Sequence, residues 1–279
     1  MCAAARRGLA VGFFDGVHLG HQAVLARAAA ALTFRNHPLG VLSPGRAPHL
    51  LMSCDDRLAA IRSCGVRDVR ALDFTPETAA MPAGDFVRTI LSEACPDGVV
   101  FCGGDWRFGR GGEGDAAFLR AHGFCVEELP YAEYCGERIS STRIRAALAA
   151  GELGDAAAML GREWRVRGVT AAGKGLGASL GFPTLNVLLP SLEITIPRGV
   201  YAVEALGARG IANFGVAPTM GASAWSSPVL EIHFPGGLPA PCAPSSPIEV
   251  ALRRFVRPER TFASLDELVR QIALDCASC

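Results

Sequence analysis

Leu9 to Phe14 form an apolar run that stops at Asp15-Gly16, and an Ala/Leu-rich stretch, Gln22 to Leu32, follows almost at once. The run suits a buried strand and the stretch a helix, so His18 and His21 are expected where a strand turns into a helix. Backbone N–H groups at a helix N-terminus are unsatisfied and carry partial positive charge, which attracts phosphate oxygens. Gly12, Gly16 and Gly20 would let a phosphate approach the backbone closely, and imidazoles beside it can donate hydrogen bonds to charge developing on phosphorus. The plain alternative is a loop with two solvated histidines, or one histidine tying down a turn.

The chain has 279 residues, half of them apolar, enough for one large domain or two ordinary ones. Its formal charge is zero, which gives no electrostatic case for nucleic acid. The N-terminal apolar run is too short for a signal peptide, and the uncharged stretch Gly210 to Leu230 is broken by Pro218, Pro228 and several glycines. The reading is a soluble, cytoplasmic protein with no membrane partner. Ten cysteines without a secretion signal read as reduced thiols rather than a disulfide framework.

From His21 to about Leu148, strand-like and helical runs alternate, the pattern of a parallel sheet covered by helices. Strands are expected at Leu32–Phe34, Val69–Phe74 and Val99–Phe101, and helices at Asp55–Cys64 and Ala83–Ala94. The loop Gly103-Gly-Asp-Trp-Arg-Phe-Gly109 leaves the last of these strands at its carboxyl end, where ligands bind in open α/β sheets. Ser140, Ser141 and Thr142 precede a helical run, Arg143 to Ala150; they can cap it or hold a phosphate that Arg145 neutralises.

Ala146 to Gly161 reads as a connecting helix pair and a domain boundary is placed near residue 160. Beyond Arg162, short Val/Ile/Tyr-rich runs separated by Gly and Pro read as a small β-barrel. Three short patterns between Gly168 and Gly181 imitate a Walker A motif, a dinucleotide fingerprint and a nucleophile elbow. Each needs a helix next, whereas Phe182-Pro-Thr-Leu-Asn-Val favours a strand. Thr184 and Asn186, two residues apart, face one side of that strand, so both oxygens can point at one hard cation.

The segment Gly12-Phe-Phe-Asp-Gly-Val-His-Leu-Gly-His21 resembles the His-x-Gly-His signature of nucleotidyltransferases, and more narrowly the opening motif of the bacterial bifunctional riboflavin kinase / FAD synthetase family. Thr33-Phe34…His37-Pro38, Gly104-Asp-Trp-Arg-Phe-Gly109 and Ile139-Ser-Ser-Thr-Arg-Ile-Arg145 are similar to further family motifs in family order. In the second half, Leu180-Gly-Phe-Pro-Thr-Leu-Asn186, Pro197-Arg-Gly-Val-Tyr-Ala202, Ile211-Ala-Asn-Phe-Gly215, Ala217-Pro-Thr219 and Arg257-Pro-Glu-Arg-Thr-Phe262 resemble the kinase part, and Leu265 to Asp275 reads as a closing amphipathic helix. The sequence departs from the family at Ala178, where an Arg is common, and in the Pro-rich run 235–247.

The resemblance implies a Rossmann-like adenylyltransferase (1–160) followed by a Greek-key barrel kinase (161–279), turning riboflavin into FMN and FMN into FAD with ATP and Mg²⁺. In the first domain His18 and His21 would stabilise charge on the α-phosphorus. Gly12, Phe14, Asp15, Gly20, Ser141, Thr142 and Arg145 would hold ATP and its phosphates, and Asp105 and Phe108 would place the flavin. In the second, Gly173, Lys174 and Gly177 would bind ATP, Thr184 and Asn186 the metal, and Glu231 would take the proton of the riboflavin 5′-hydroxyl. The alternative is a monofunctional FAD synthetase whose barrel only binds flavin or regulates. Oligomeric state is left open.

Overall fold

The computed structural model describes residues 8–173, 182–190, 196–216, 228–239 and 242–277. The chain divides into two compact units, Met1–Ser141 and Thr142–Cys279. This break falls upstream of the joint expected near residue 160.

The first unit is built on five parallel strands: β1 (Leu9–Val11), β2 (Ala30–Phe34), β3 (Asp68–Leu72), β4 (Val99–Gly103) and β5 (Cys125–Leu129), in the order β3-β2-β1-β4-β5. The strands are apolar because both faces are covered. Leu9, Val11, Leu32, Val100 and Cys102 point to one side, onto Phe86, Leu91 and Leu119. Ala10, Ala31 and Phe101 point to the other, onto Val24, Leu25 and Ile61. The strand order reverses between β1 and β4, and the loops leaving those two strands flank the crevice where such sheets bind ligands.

The helix expected over Gln22–Leu32 is shorter and earlier. Helix α1 runs Leu19–Leu25, and β2 begins at Ala30. The Ala29 and Ala30 N–H groups both donate to the Gly8 carbonyl, at 3.1 and 3.2 Å, and Ala30–Leu32 pair in register with Leu9–Val11. Ladder formation in a buried sheet overrides the weak helical preference of alanine. Helix α2 (Cys54–Ser63) is capped by Ser53, whose Oγ accepts the Asp56 N–H. The run expected at Ala83–Ala94 is helical throughout but carries a π turn at Val87–Leu91. The third strand ends at Leu72, and Phe74 donates its N–H to Asn36 instead. After helix α3 (Ala116–Ala121) and β5, a two-strand hairpin, β6 (Glu133–Tyr134) and β7 (Glu137–Arg138), leads to helix α4 (Ser141–Ala150).

In the second unit helix α5 (Leu153–Leu160) packs on the barrel strands that follow. The barrel is closed and antiparallel: β8 (Trp164–Ala171), β9 (Thr184–Leu188), β10 (Gly199–Ala205), β11 (Ala208–Val216), β12 (Pro228–His233) and β13 (Pro247–Pro258), ordered β10-β11-β12-β9-β8-β13. Helix α6 (Leu265–Ala277) is pinned to the end of β13 by Arg257, whose Nη2 and Nε donate to the Asp275 carboxylate at 2.7 and 3.0 Å. Asp275 is 3% exposed, so truncating it leaves the half-buried Arg257 guanidinium without its carboxylate. Asp275→Ala is expected to lower the stability of the barrel unit by about 3 kcal/mol, read as a shift of its urea transition followed by the fluorescence of the buried Trp164.

Candidate functional site

The loop between β1 and α1 is the most constrained backbone in the first unit. Phe14 has φ 59°, Gly16 φ 79° and Val17 φ 41°. Glycine adopts such angles freely, but Phe and especially β-branched Val do not, and each such residue stores about 1–3 kcal/mol of strain. Side chains from several segments hold the loop there. The buried Asp15 carboxylate accepts the Leu51 N–H at 3.0 Å, and Ser141 Oγ donates to the Asp15 carbonyl at 2.9 Å. Thr33 Oγ1 donates to the Phe13 carbonyl at 3.0 Å, and Gln22 Nε2 to the Val17 carbonyl at 2.9 Å.

This backbone delivers the two histidines as a pair. Their rings stack with centroids 3.6 Å apart and planes within 19°. His18 is buried and caps α1, its Nδ1 accepting the His21 N–H at 3.4 Å. That bond leaves Nε2 as the proton-bearing nitrogen of a neutral His18. His21 meets the edge of Phe14 at 5.4 Å, and its Nδ1 is buried without a hydrogen-bond partner. Removal from water, then the nearby His18 and Arg138, hold its pKa well below the usual histidine value. The glycines make room: a Cβ on Gly20 would press on the His18 ring at 3.3 Å, and one on Gly12 would meet the Phe14 ring at 2.9 Å.

Beside the loop lies a cleft of about 740 Å³, walled by Phe13, Phe34, Phe74, Phe86, Trp106 and Phe108. It opens at the carboxyl ends of β1, β2 and β4. The loop after β4 is closed by mutual backbone bonds between Phe108 and Gly114 at 3.0 and 2.9 Å. Trp106 stacks on Phe108 with centroids 4.7 Å apart. Asp105 is exposed and ion-paired to Arg138 at 2.6 Å, and the Arg138 guanidinium in turn lies 3.6 Å above the Tyr131 ring.

The structure thus brings Gly12, Phe14, Asp15 and His18 of the loop together with Gly20 and His21 of the first turn of α1, with Ser141 bonded to the loop and Phe108 in the adjoining cleft. The carboxylate of Asp15 faces Leu51 and the Phe14 ring is buried, so neither side chain is presented to solvent. Thr142, exposed, and Arg145, half-buried, follow on α4 and belong to the second unit. Sequence reasoning missed Arg138 and Arg57. Arg57 is fully buried; it stands four residues before Ile61 on α2, and that helical spacing was the available signal.

In the barrel, a cavity of about 790 Å³ is lined by Thr184, Asn213, Glu231 and His233 of the sheet and by Leu268 and Ile272 of α6. Glu231 lies opposite Asn186 across β9 and opposite Asn213 across β11, so these three share one face. Asn186 is 7% exposed and stands against Gly173, where any Cβ would collide with its amide. His233 Nδ1 donates to the Pro183 carbonyl at 3.1 Å, tying down the residue before Thr184. Lys174 and Gly177, with Ala178 and the segment Ala217-Pro-Thr219, lie outside the described residues.

Comparison with known proteins agrees with this division of labour. A family model described as FAD synthetase matches residues 3–143, and one described as riboflavin kinase matches residues 160–279. The bifunctional riboflavin kinase/FMN adenylyltransferase of Escherichia coli K12 is 35% identical, over 96% of this chain and 90% of its own. Those of Pseudomonas fluorescens and Bacillus subtilis 168 are 33% and 30% identical, over 96% and 97% of this chain and 90% of theirs. A Streptococcus pneumoniae crystal structure described as a macrolide-efflux protein superposes with a TM-score of 0.80 at 25% identity, covering 98% of this chain and 93% of its own. The chain, with an adenylyltransferase motif on the parallel sheet of its first half and a kinase-like barrel in its second, belongs to the bifunctional riboflavin kinase/FMN adenylyltransferase family.

Proposed function

We propose that FMN is adenylylated at the histidine loop of the first unit and riboflavin is phosphorylated in the barrel cavity. The stacked, desolvated His18–His21 pair beside an aromatic cleft carries the first assignment. The cleft suits the flat, apolar face of a flavin, with Trp106 and Phe108 against the ring system. An FMN phosphate oxygen attacks the α-phosphorus of ATP, a bond forms to that phosphorus, and pyrophosphate leaves with the electrons of the broken P–O bond. The step needs an in-line pose and donors aimed at the crowded phosphorus rather than covalent help. His18 supplies its Nε2 proton, and His21, kept neutral by burial, supplies a hydrogen bond rather than a charge. Arg138 supplies the charge. Gly12, Phe14, Asp15 and Gly20 act through the shape of the loop instead of touching ATP with their side chains. The phosphate-holding roles of Thr142 and Arg145 rest on the Ile139–Arg145 motif alone.

In the barrel, Glu231 accepts the proton of the riboflavin 5′-hydroxyl as that oxygen bonds to the γ-phosphorus of a second ATP, and ADP leaves with the electrons of the broken P–O bond. Thr184 and Asn186 offer a hydroxyl and an amide oxygen on one strand face, hard donors that fit Mg²⁺ when phosphates complete its shell. The cation, when bound, neutralises phosphate charge. The chain works in the cytoplasm on small molecules; among the described residues no helix is long and apolar enough to cross a membrane.

Chromatography of the flavins formed from riboflavin, and separately from FMN, with ATP and Mg²⁺ tests both sites. His18→Ala or His21→Ala should slow FAD formation roughly a hundredfold to a thousandfold while FMN still accumulates from riboflavin. Glu231→Gln should do the reverse, and excess EDTA should stop both steps. FAD formed at the wild-type rate by His18→Ala would refute the first assignment. The depressed His21 pKa also fixes a pH dependence. The unfolded chain takes up a proton at this residue below about pH 6.5 and the folded one does not, so acidification below that point favours unfolding. Above it the contribution vanishes. The urea midpoint of the first unit should fall between pH 7.5 and pH 5.5, and less steeply in His21→Gln.

A further inference from the structure

Helix α2 carries a charged side chain on its buried face. Arg57 is 0% exposed, like Ile61 one turn later. Its Nη2 donates to the carbonyls of Phe34 and Arg35, at 2.6 and 2.9 Å, where β2 ends, and its guanidinium carbon lies 4.2 Å from the centre of the Phe13 ring. Nε and Nη1 are buried with no hydrogen-bond partner. Burial pulls its pKa down, opposed in part by the nearby Asp15 carboxylate. A buried cation with unused donors is a poor way to fill a core, and an apolar side chain of similar size would pack there at less cost.

The groups that Arg57 grips indicate what it does. Phe13 immediately precedes the left-handed Phe14, and its carbonyl is held by Thr33, one residue before Phe34. Phe13 and Phe34 both wall the 740 Å³ cleft. The Asp15 carboxylate, whose charge reaches Arg57, fixes the same loop from the Leu51 side. One guanidinium therefore braces the exit of β1, the exit of β2 and the wall between them.

We propose that Arg57 is a positioning residue for adenylyl transfer: stacked on Phe13 and bonded to the Phe34 and Arg35 carbonyls, it fixes the flavin wall relative to the histidine pair, so that the FMN phosphate reaches the α-phosphorus in line. The inference rests on placing FMN adenylylation at this loop. Arg57 touches no substrate, and its effect runs through Phe13 and the loop backbone. Lysine would keep the charge but lose the planar fork that serves two carbonyls and a ring at once.

The test uses the full-length chain with Arg57→Ala and Arg57→Lys. In both, kcat for FAD formation should fall about tenfold to a hundredfold, the scale of a small misplacement of reacting groups, with KM for ATP within about twofold. Riboflavin phosphorylation by the same preparations should be unchanged, which reports an intact barrel unit, and the urea transition of the first unit should show that unit folded under the assay conditions. Millimolar guanidinium, but not sodium chloride at equal ionic strength, should restore part of the Arg57→Ala rate, a recovery that a collapsed core would not show. A wild-type kcat in both variants would overturn the inference, as would a loss that follows the fraction unfolded and resists guanidinium. A wild-type chain that makes no FAD would overturn the placement of the reaction itself, and the inference with it.

Discussion

The adenylyltransferase half depends on one buried interaction, the Asp15 carboxylate accepting the Leu51 N–H 36 residues along the chain. Without an anchor of that strength the left-handed angles at Phe14 and Val17 would relax, because each costs about 1–3 kcal/mol and neither residue offsets it locally. The anchor acts with three others, from Thr33, Gln22 and Ser141, each from a different element. Together they hold a backbone that places two imidazoles face to face before any substrate arrives. Electrostatic help in phosphoryl chemistry comes from donors that need no reorganisation, which is what the proposed role of the histidine pair asks of a strained loop held from several sides.

The two halves solve related problems with different materials. The parallel sheet offers a crevice where its strand order reverses, and its chemistry sits on loops. The barrel has no such crevice, and its polar groups stand on the strands: Asn186, Glu231 and Asn213 in a row across β9, β12 and β11, under a wall supplied by α6. Rigid strands make good platforms for a base and a cation ligand, since register fixes which side chains share a face. The Arg257–Asp275 pair keeps α6 against that cavity and so links the end of the chain to the site.

Much of this was legible in the sequence. The alternation of runs gave the parallel sheet, the Gly- and Pro-punctuated second half gave the barrel, and the strand-to-helix corner with two histidines was readable from Leu9 to His21. What local reading got wrong were places where tertiary partners decide. Ala30–Leu32 read as helix because alanine favours it, but the ladder to β1 claims them. The resemblance implies that Asp15 helps hold ATP, and only the fold adds Leu51 as a partner of its carboxylate. Arg57 went unread although it stands one helical turn before Ile61, because a charged side chain is rarely placed on the buried face of a helix. The π turn at Val87–Leu91 is not legible in the run Ala83–Ala94, because a segment this short fits a helical apolar pattern with or without one wide turn.

The most direct test of the central claim, that the histidine pair is held ready by a loop anchored through Asp15, is single-turnover FAD formation by Asp15→Asn at saturating ATP, with FMN binding followed by Trp106 fluorescence. An amide of the same shape cannot match a buried carboxylate as acceptor, so the account predicts a transfer rate at least about tenfold lower with FMN affinity retained. A full transfer rate, or a defect that disappears when ATP is raised, would contradict it, since the carboxylate would then be idle or would contact the nucleotide directly.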